Sequence, residues 1–267
     1  MEKPENKPRN SAGKISRAKR ERYRYQDFGE GYDSRYEGGI NRVNTEVERS
    51  WIGNHIPEGP VLDAGAGTGR FSSMLTAMGH PVTALDSSAS MLTALKASLP
   101  EVSTVEGDIY SLPFEDSRFS AVICMHVLFH LPDWERVIAE LARVLAPGGR
   151  LFFEMRSGEH VATFGAMART LGLIQGEGAT ADASSVTYSA NSKQVKKVLD
   201  NCGVSMVKNL RYDIGHSYWY RPLNRVTERL LASSHPARCV LTRVELALGR
   251  ICPGWLAYRT LYMGCKR

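Results

Sequence analysis

From residue 61 onward the chain alternates between short unbroken apolar runs and longer stretches in which apolar residues recur every three or four positions. The first pattern predicts strands buried on both faces, and the second predicts helices with one buried side. Strands are expected at 61–64, 81–85, 102–106, 121–125 and 150–155, with helices at about 69–78, 87–98 and 134–145 between them. In the last helix Val137, Ile138, Leu141, Val144 and Leu145 mark a single apolar face, and Ala146-Pro147-Gly148-Gly149 should stop it. The run 121–125 has no polar interruption and should be central. Strands alternating with helices predict an α/β fold, a parallel sheet wrapped by helices. The pattern loosens afterwards. Residues 158–185 are rich in Gly, Ala, Ser and Thr and suggest an insertion or loose helix. A helix at 191–201, a strand at 205–212, amphipathic helices at about 222–232 and 238–251 and a closing strand at 256–263 complete the expectation.

Candidate chemistry concentrates where the predicted strands end. Residues 61–71 read VLDAGAGTGRF, an apolar run closing on Asp63 and then Gly65, Gly67 and Gly69 at alternate positions. A strand entering a glycine-rich turn and a helix lets backbone approach a ligand closely. The dinucleotide fingerprint Gly-x-Gly-x-x-Gly would need its third glycine at position 70, which is Arg70, so a pyrophosphate is disfavoured. A carboxylate at Asp63 suits an ammonium or sulfonium instead. Asp86 follows the second strand, seventeen residues past Gly69, where an acid can accept both hydroxyls of a ribose. Asp108 follows the third strand and offers an acceptor to an adenine amino group, with Ile109 and Met91 to pack on its faces. Met125 and His126 follow the fourth. Any one of these acids alone would suit a helix cap or a turn; together they mark one edge of the sheet.

The pieces VLDAGAGTGRF, ALDSS, EGDIYSLPFEDSRFSAV, HVLFHLPDW and ELARVLAPGGRLFFE, spanning roughly residues 61–155, resemble the class I S-adenosylmethionine-dependent methyltransferases, and most of all the small-molecule group that includes the quinone-pathway enzymes. The resemblance implies a Rossmann-like seven-stranded sheet whose last strand is antiparallel, with helical insertions forming a lid. It also implies S-adenosylmethionine as cofactor, with Asp63, Gly65 and Gly67 along its methionine part, Asp86 and Ser87 at the ribose, Met91, Asp108 and Ile109 at the adenine, and Met125 to His126 near the sulfonium. Tyr32, Tyr36 and Arg42 are candidates for covering the cofactor or for anchoring an N-terminal helix. The expected organisation is a basic tail at 1–22 and one domain at 23–267. That domain divides into cap helices (23–55), a cofactor-binding core (56–156), an insertion (157–190) and C-terminal strands with a helical acceptor lid (191–267).

Methyl transfer is chiefly a matter of placement, although an acceptor hydroxyl would gain from a base. His130 and His126, four residues apart after the fourth strand, could share one face of a helical turn over the methyl. His130 could equally begin the next helix with Pro132 and Asp133, and His216 is a third candidate. The expected acceptor is a small molecule methylated at oxygen in a biosynthetic pathway.

Charge refines this picture. The net charge of +6 and pI of 9.1 suggest nucleic acid until the charge is located: residues 1–24 hold nine Lys/Arg against three Asp/Glu, and the remainder is neutral. Within it, residues 25–204 are acidic, with 14 basic and 22 acidic side chains, whereas 205–267 carry 11 and 3. Arg221, Arg225 and Arg229 could attract an anionic acceptor, or the basic surface could meet a membrane and a lipophilic one. The tail has the composition of a disordered arm, and its RNA-gripping alternative lacks interleaved aromatics. Base-amine methyltransferases carry Asn- or Asp-Pro-Pro-Tyr after the fourth strand, where this chain has Met-His-Val-Leu, so nucleic acid is disfavoured as acceptor. A silent cofactor-binding partner and a nicotinamide oxidoreductase are the remaining alternatives. Five scattered cysteines without a Cys-x-x-Cys pair predict reduced thiols, no metal site and a cytoplasmic setting. Neither a secretory leader nor a membrane span is expected.

Overall fold

A computed structural model of the 267-residue chain describes residues 38–163, 187–214 and 229–267. Eight strands form one mixed sheet: β1 (Val61–Ala64), β2 (Val82–Asp86), β3 (Ser103–Glu106), β4 (Phe119–Cys124), β5 (Leu145–Ser157), β6 (Ser189–Ala190), β7 (Val204–Ile214) and β8 (Ala257–Lys266). Their order is β3-β2-β1-β4-β5-β8-β7. The first five are mutually parallel, and β8 runs antiparallel to both β5 and β7. The two-residue β6 takes over the β4 side of β5, pairing with Arg156 and Ser157.

The sheet order explains where a ligand would bind. From β1 the chain winds outward to β2 and β3, then crosses back to β4 on the other side, so strand order reverses between β1 and β4. The crevice beyond the carboxyl ends of β1 and β4 is therefore the topological switch point. β4 is central as expected, and its buried Ala121, Val122, Ile123 and Cys124 are covered on both faces.

Strand alternation divides the core into two layers. Leu62, Ala64, Val122, Cys124, Leu151 and Phe153 face helix α4 (Trp134–Val144) and α5 (Ser192–Asn201). Val61, Ala121, Ile123, Phe152, Leu210 and Leu261 face α1 (Gly39–Gly53) and α2 (Arg70–Ala77). In α4, Val137, Ile138 and Leu141 are wholly buried, each worth about 1.5–3 kcal/mol of burial. Helix α3 (Ala89–Ser98) starts at Ser88, whose hydroxyl accepts the Met91 N–H, and α5 starts with a capping box between Asn191 and Gln194. Helix α6 (His235–Leu248) packs against α1.

Three expectations change. β5 begins directly at Leu145, without a loop over Ala146–Gly149, because Leu145 already pairs with Phe119 before a register irregularity leads to Ala121–Arg150. The closing strand extends through Lys266, paired on both sides. The helix expected at 238–251 instead starts at His235, capped by Ser234 with Pro236 in its first turn. The helix expected at 222–232, most of the 158–185 insertion and the N-terminal tail lie largely or wholly outside the described residues. Among those described, no helix is long and apolar enough to cross a membrane.

Candidate functional site

The turn after β1 is built by close approach. The Gly65 and Ala66 N–H groups donate to the Leu85 carbonyl, which holds the turn against the end of β2. Gly65 has φ +79°, and a Cβ there would sit 2.4 Å from Val127 Cγ2, so both conformation and space exclude a side chain. Gly69, at φ +93°, forms the left-handed N-cap of α2, with a would-be Cβ 2.8 Å from Leu95 Cγ.

Asp86 fastens this turn. Its Oδ2 accepts the Gly67 N–H at 2.8 Å and its Oδ1 accepts the Ser88 N–H at 3.0 Å. Burial raises its carboxyl against these backbone bonds. A carboxylate has about four lone-pair sites, so the N–H groups of Gly67, Ser88 and Ser87 leave it acceptor capacity for a ligand hydroxyl. Ser87 stands half-buried between them. Next along the sheet edge, Asp108 is exposed and accepts the Tyr110 N–H at 3.0 Å, while Ile109 packs on the core and Met91 is buried in the first turn of α3.

Asp63 occupies a harsher environment. It is 2% exposed, and its Oδ2 accepts the Ser72 hydroxyl at 2.7 Å. Burial pushes its carboxyl up to about 6, against the Ser72 bond that lowers it. Near neutral pH this is a carboxylate one step from protonation, at the end of a parallel strand, suited to a cationic ligand group.

His126 and His130 do not share a helical turn. His126 has φ +61°, which cannot continue a right-handed helix, and only Leu128–His130 forms a short 3₁₀ helix, ahead of Pro132. The His126 ring instead enters a buried polar cluster. Arg259 Nη1 donates to its Nδ1 at 3.0 Å, so its Nε2–H donates to Glu48 at about 3.0 Å. Burial lowers the imidazole below its ordinary value against the pull of Glu48 and Glu154. Glu48 is wholly buried and also accepts the Tyr212 hydroxyl at 2.6 Å. Burial alone would raise its carboxyl, but His126, Arg70 and Arg259 hold it down at about 2. Arg259 is further surrounded by Asp213 at 3.2 Å and Glu154 at 3.6 Å. His130 stands half-buried with its ring 4.2 Å from that of Phe129.

Thus Asp63 and Asp86 lie in the closing residues of β1 and β2, Gly65, Gly67, Ser87, Asp108, Ile109, Met125, His126 and His130 follow the carboxyl ends of β1 to β4, and Met91 lies on α3. Arg42 and Arg229 are exposed. Tyr32, Tyr36, His216, Arg221 and Arg225 lie outside the described residues.

Residues 62–153 match the sequence model of a family described as a methyltransferase domain. With the strand order and the Gly65–Asp86 turn, that match decides the assignment. This core is a class I S-adenosylmethionine-dependent methyltransferase domain. A demethylmenaquinone methyltransferase of Renibacterium salmoninarum is 38% identical over 96 residues, 36% of this chain and 40% of that one. A malonyl-[acyl-carrier protein] O-methyltransferase of Erwinia billingiae is 37% identical over 113 residues, 42% of this chain and 45% of its own length. The matched stretch thus spans less than half of either relative. The magnesium protoporphyrin IX methyltransferase of Synechocystis, solved with bound SAH, superposes with TM-score 0.60 over 95% of this chain and 100% of its own, at 16% identity, which makes the likeness one of fold. The methyltransferase site has donors and acceptors that fit S-adenosylmethionine: Asp86 keeps acceptor capacity, the Gly65 cradle leaves no room for a Cβ, and Asp63 offers a buried acid.

The methyltransferase resemblance did not reveal Glu48, Arg259, Glu154, Asp213 or Tyr212. One signal was present for Glu48: it and Asn44 fall within the apolar stripe Ile40, Val43, Val47 and Trp51 of α1, and both are buried. Polar residues on a buried helix face mark a polar core site.

Proposed function

We propose that the chain transfers a methyl group from S-adenosylmethionine to an oxygen of a small-molecule acceptor, within one domain at 23–267 preceded by a basic tail at 1–22. The observation that carries this reading is the alignment of Asp63, Asp86, Asp108 and the His126–His130 segment along one edge of the sheet, at its switch point. Bound S-adenosylmethionine would supply a methyl group made electrophilic by its sulfonium. Asp86 and Ser87 would hold the ribose, Asp108, Ile109 and Met91 the adenine, and Asp63 with the Gly65–Gly67 backbone the cationic methionine part, with Met125 near the sulfonium.

His126 and His130 then take different roles. With Nδ1 accepting from Arg259 and Nε2–H donating to Glu48, His126 has neither ring nitrogen available to a substrate proton, so it positions the loop after β4. His130, beyond that cluster, is the base for an acceptor hydroxyl. Oxygen is favoured as the methylated atom by such a base and by the Erwinia O-methyltransferase among the relatives.

The test is to incubate the chain with methyl-labelled S-adenosylmethionine and, separately, a fractionated metabolite extract or RNA, following label by mass spectrometry. Label in a small molecule is the expected result. Label only in RNA would replace the acceptor class, and no transfer to either would contradict the enzyme reading. In the acceptor assay His130→Ala is expected to lower turnover about a hundredfold or more, with cofactor affinity within twofold. Unchanged turnover would remove His130 from the chemistry.

A further inference from the structure

Arg156, the penultimate residue of β5, lies between β6 and β8 at the carboxyl end of the parallel strands, paired with Ser189 on one side and Arg259 on the other. Its guanidinium is held by two rings: Cζ lies 4.3 Å from the Phe129 centroid and 4.3 Å from the Tyr258 centroid. Its Nε and Nη1 atoms are buried and have no hydrogen-bond partner. Three other arginines of this sheet and its helices have polar partners. Arg259 has Asp213 and Glu154, Arg143 has Glu140 and Asp116, and Arg150 donates to the His55 carbonyl.

Aromatic contacts attract the cation through its faces, whereas its N–H donors lie in the guanidinium plane. Two rings therefore orient the group without satisfying it. Arg156 is half-buried, but its Nε and Nη1 donors are cut off from water without partners, which is unfavourable unless an acceptor completes them, and the guanidinium's planar N–H groups match a carboxylate. The position fits the acceptor, because Phe129 carries Arg156 on its face and His130 beside it, so the unpaired cation and the proposed base adjoin one ring. The Phe129 carbonyl is itself fixed by the Tyr188 N–H at 2.7 Å.

From this arrangement we infer that Arg156 binds a carboxylate of the acceptor, which makes the acceptor class a small carboxylic acid. The inference rests on the acceptor-site reading above and adds the group by which the substrate is selected. It does not require the basic residues of the 205–267 segment, of which Arg221 and Arg225 lie outside the described residues.

The test uses the full chain saturated with S-adenosylhomocysteine and three probes, acetate, benzoate and 4-hydroxybenzoate, each paired with its amide and titrated by ligand-observed NMR. At least one acid is expected to bind tenfold or more tightly than its amide. Arg156→Gln should abolish that preference, and Arg156→Lys, which keeps the charge and loses the planar fork, should remove most of it, both with S-adenosylhomocysteine affinity within twofold of the parent. Equal binding of every acid and amide, or a preference that survives Arg156→Gln, would overturn the assignment. Failure of the parent chain to bind S-adenosylhomocysteine would instead count against the methyltransferase reading, so the two failures are distinguishable.

Discussion

Replacing Glu48 with alanine is expected to destabilise the fold by about 3–5 kcal/mol at pH 7, the range for breaking a buried charged pair on one side. The carboxylate accepts the Tyr212 hydroxyl and the His126 Nε2–H, and both donors would be stranded in the core. It also lies 3.9 Å from Arg70, so a cation loses its nearest buried partner. Glu48→Gln keeps an acceptor for Tyr212 and should lose about half as much. Urea unfolding reads both variants, and a loss under 1 kcal/mol for the alanine would mean the cluster does not stabilise the fold. The pH profile gives an independent check. Glu48 is held at about 2, below its ordinary 4.5, so its contribution is complete above 4.5 and disappears as pH falls from there toward 2. The glutamine variant should flatten that acid limb.

Asp63→Asn is expected to have the opposite effect on stability and to weaken cofactor binding. Burial lifts the Asp63 carboxyl from 3.8 to about 6, so the folded state favours its protonated form. The stability this contributes is complete below 3.8 and is lost as pH rises through 6. At pH 8 the protein therefore holds an ionised carboxylate in an unfavourable place. An asparagine can still accept the Ser72 hydroxyl, and it should raise stability there by roughly 1–3 kcal/mol. The same substitution should weaken S-adenosylmethionine binding at pH 8 and abolish the strengthening expected for the parent between pH 5 and 7. A variant that binds equally well would remove Asp63 from the cofactor site, and one no more stable than the parent at pH 8 would contradict the unfavourable burial of its carboxylate.

Much of this was legible in sequence because the relevant signals are local. β1 and β2 announce themselves as apolar runs closing on Asp63 and Asp86, β4 is an unbroken apolar run, and the α4 face repeats at helical spacing. The turn glycines needed no tertiary information, since residue order alone places Gly65 against the strand end. What could not be read depends on register and backbone handedness. Arg259 meets Asp213 and Glu154 only because β8 lies between β5 and β7, placing Arg259 opposite Arg156 on one side and Tyr212 on the other. The left-handed backbone of His126 turned an expected pair of catalytic histidines into one buried ring and one candidate base. Arg156 in Phe-Phe-Glu-Met-Arg resembles an ordinary strand-end cation until Phe129 and Tyr258 are found on its faces.

The Gly65–Asp86 turn is where S-adenosylmethionine is proposed to bind. Calorimetric titration of S-adenosylhomocysteine into the parent chain and into Asp86→Ala tests it most directly. Charge-assisted hydrogen bonds of about 1.5–3 kcal/mol correspond to roughly 10- to 150-fold in affinity. One-to-one binding by the parent and at least tenfold weaker binding by a folded Asp86→Ala variant are expected. No binding by the parent, or equal affinity for both, would contradict that placement.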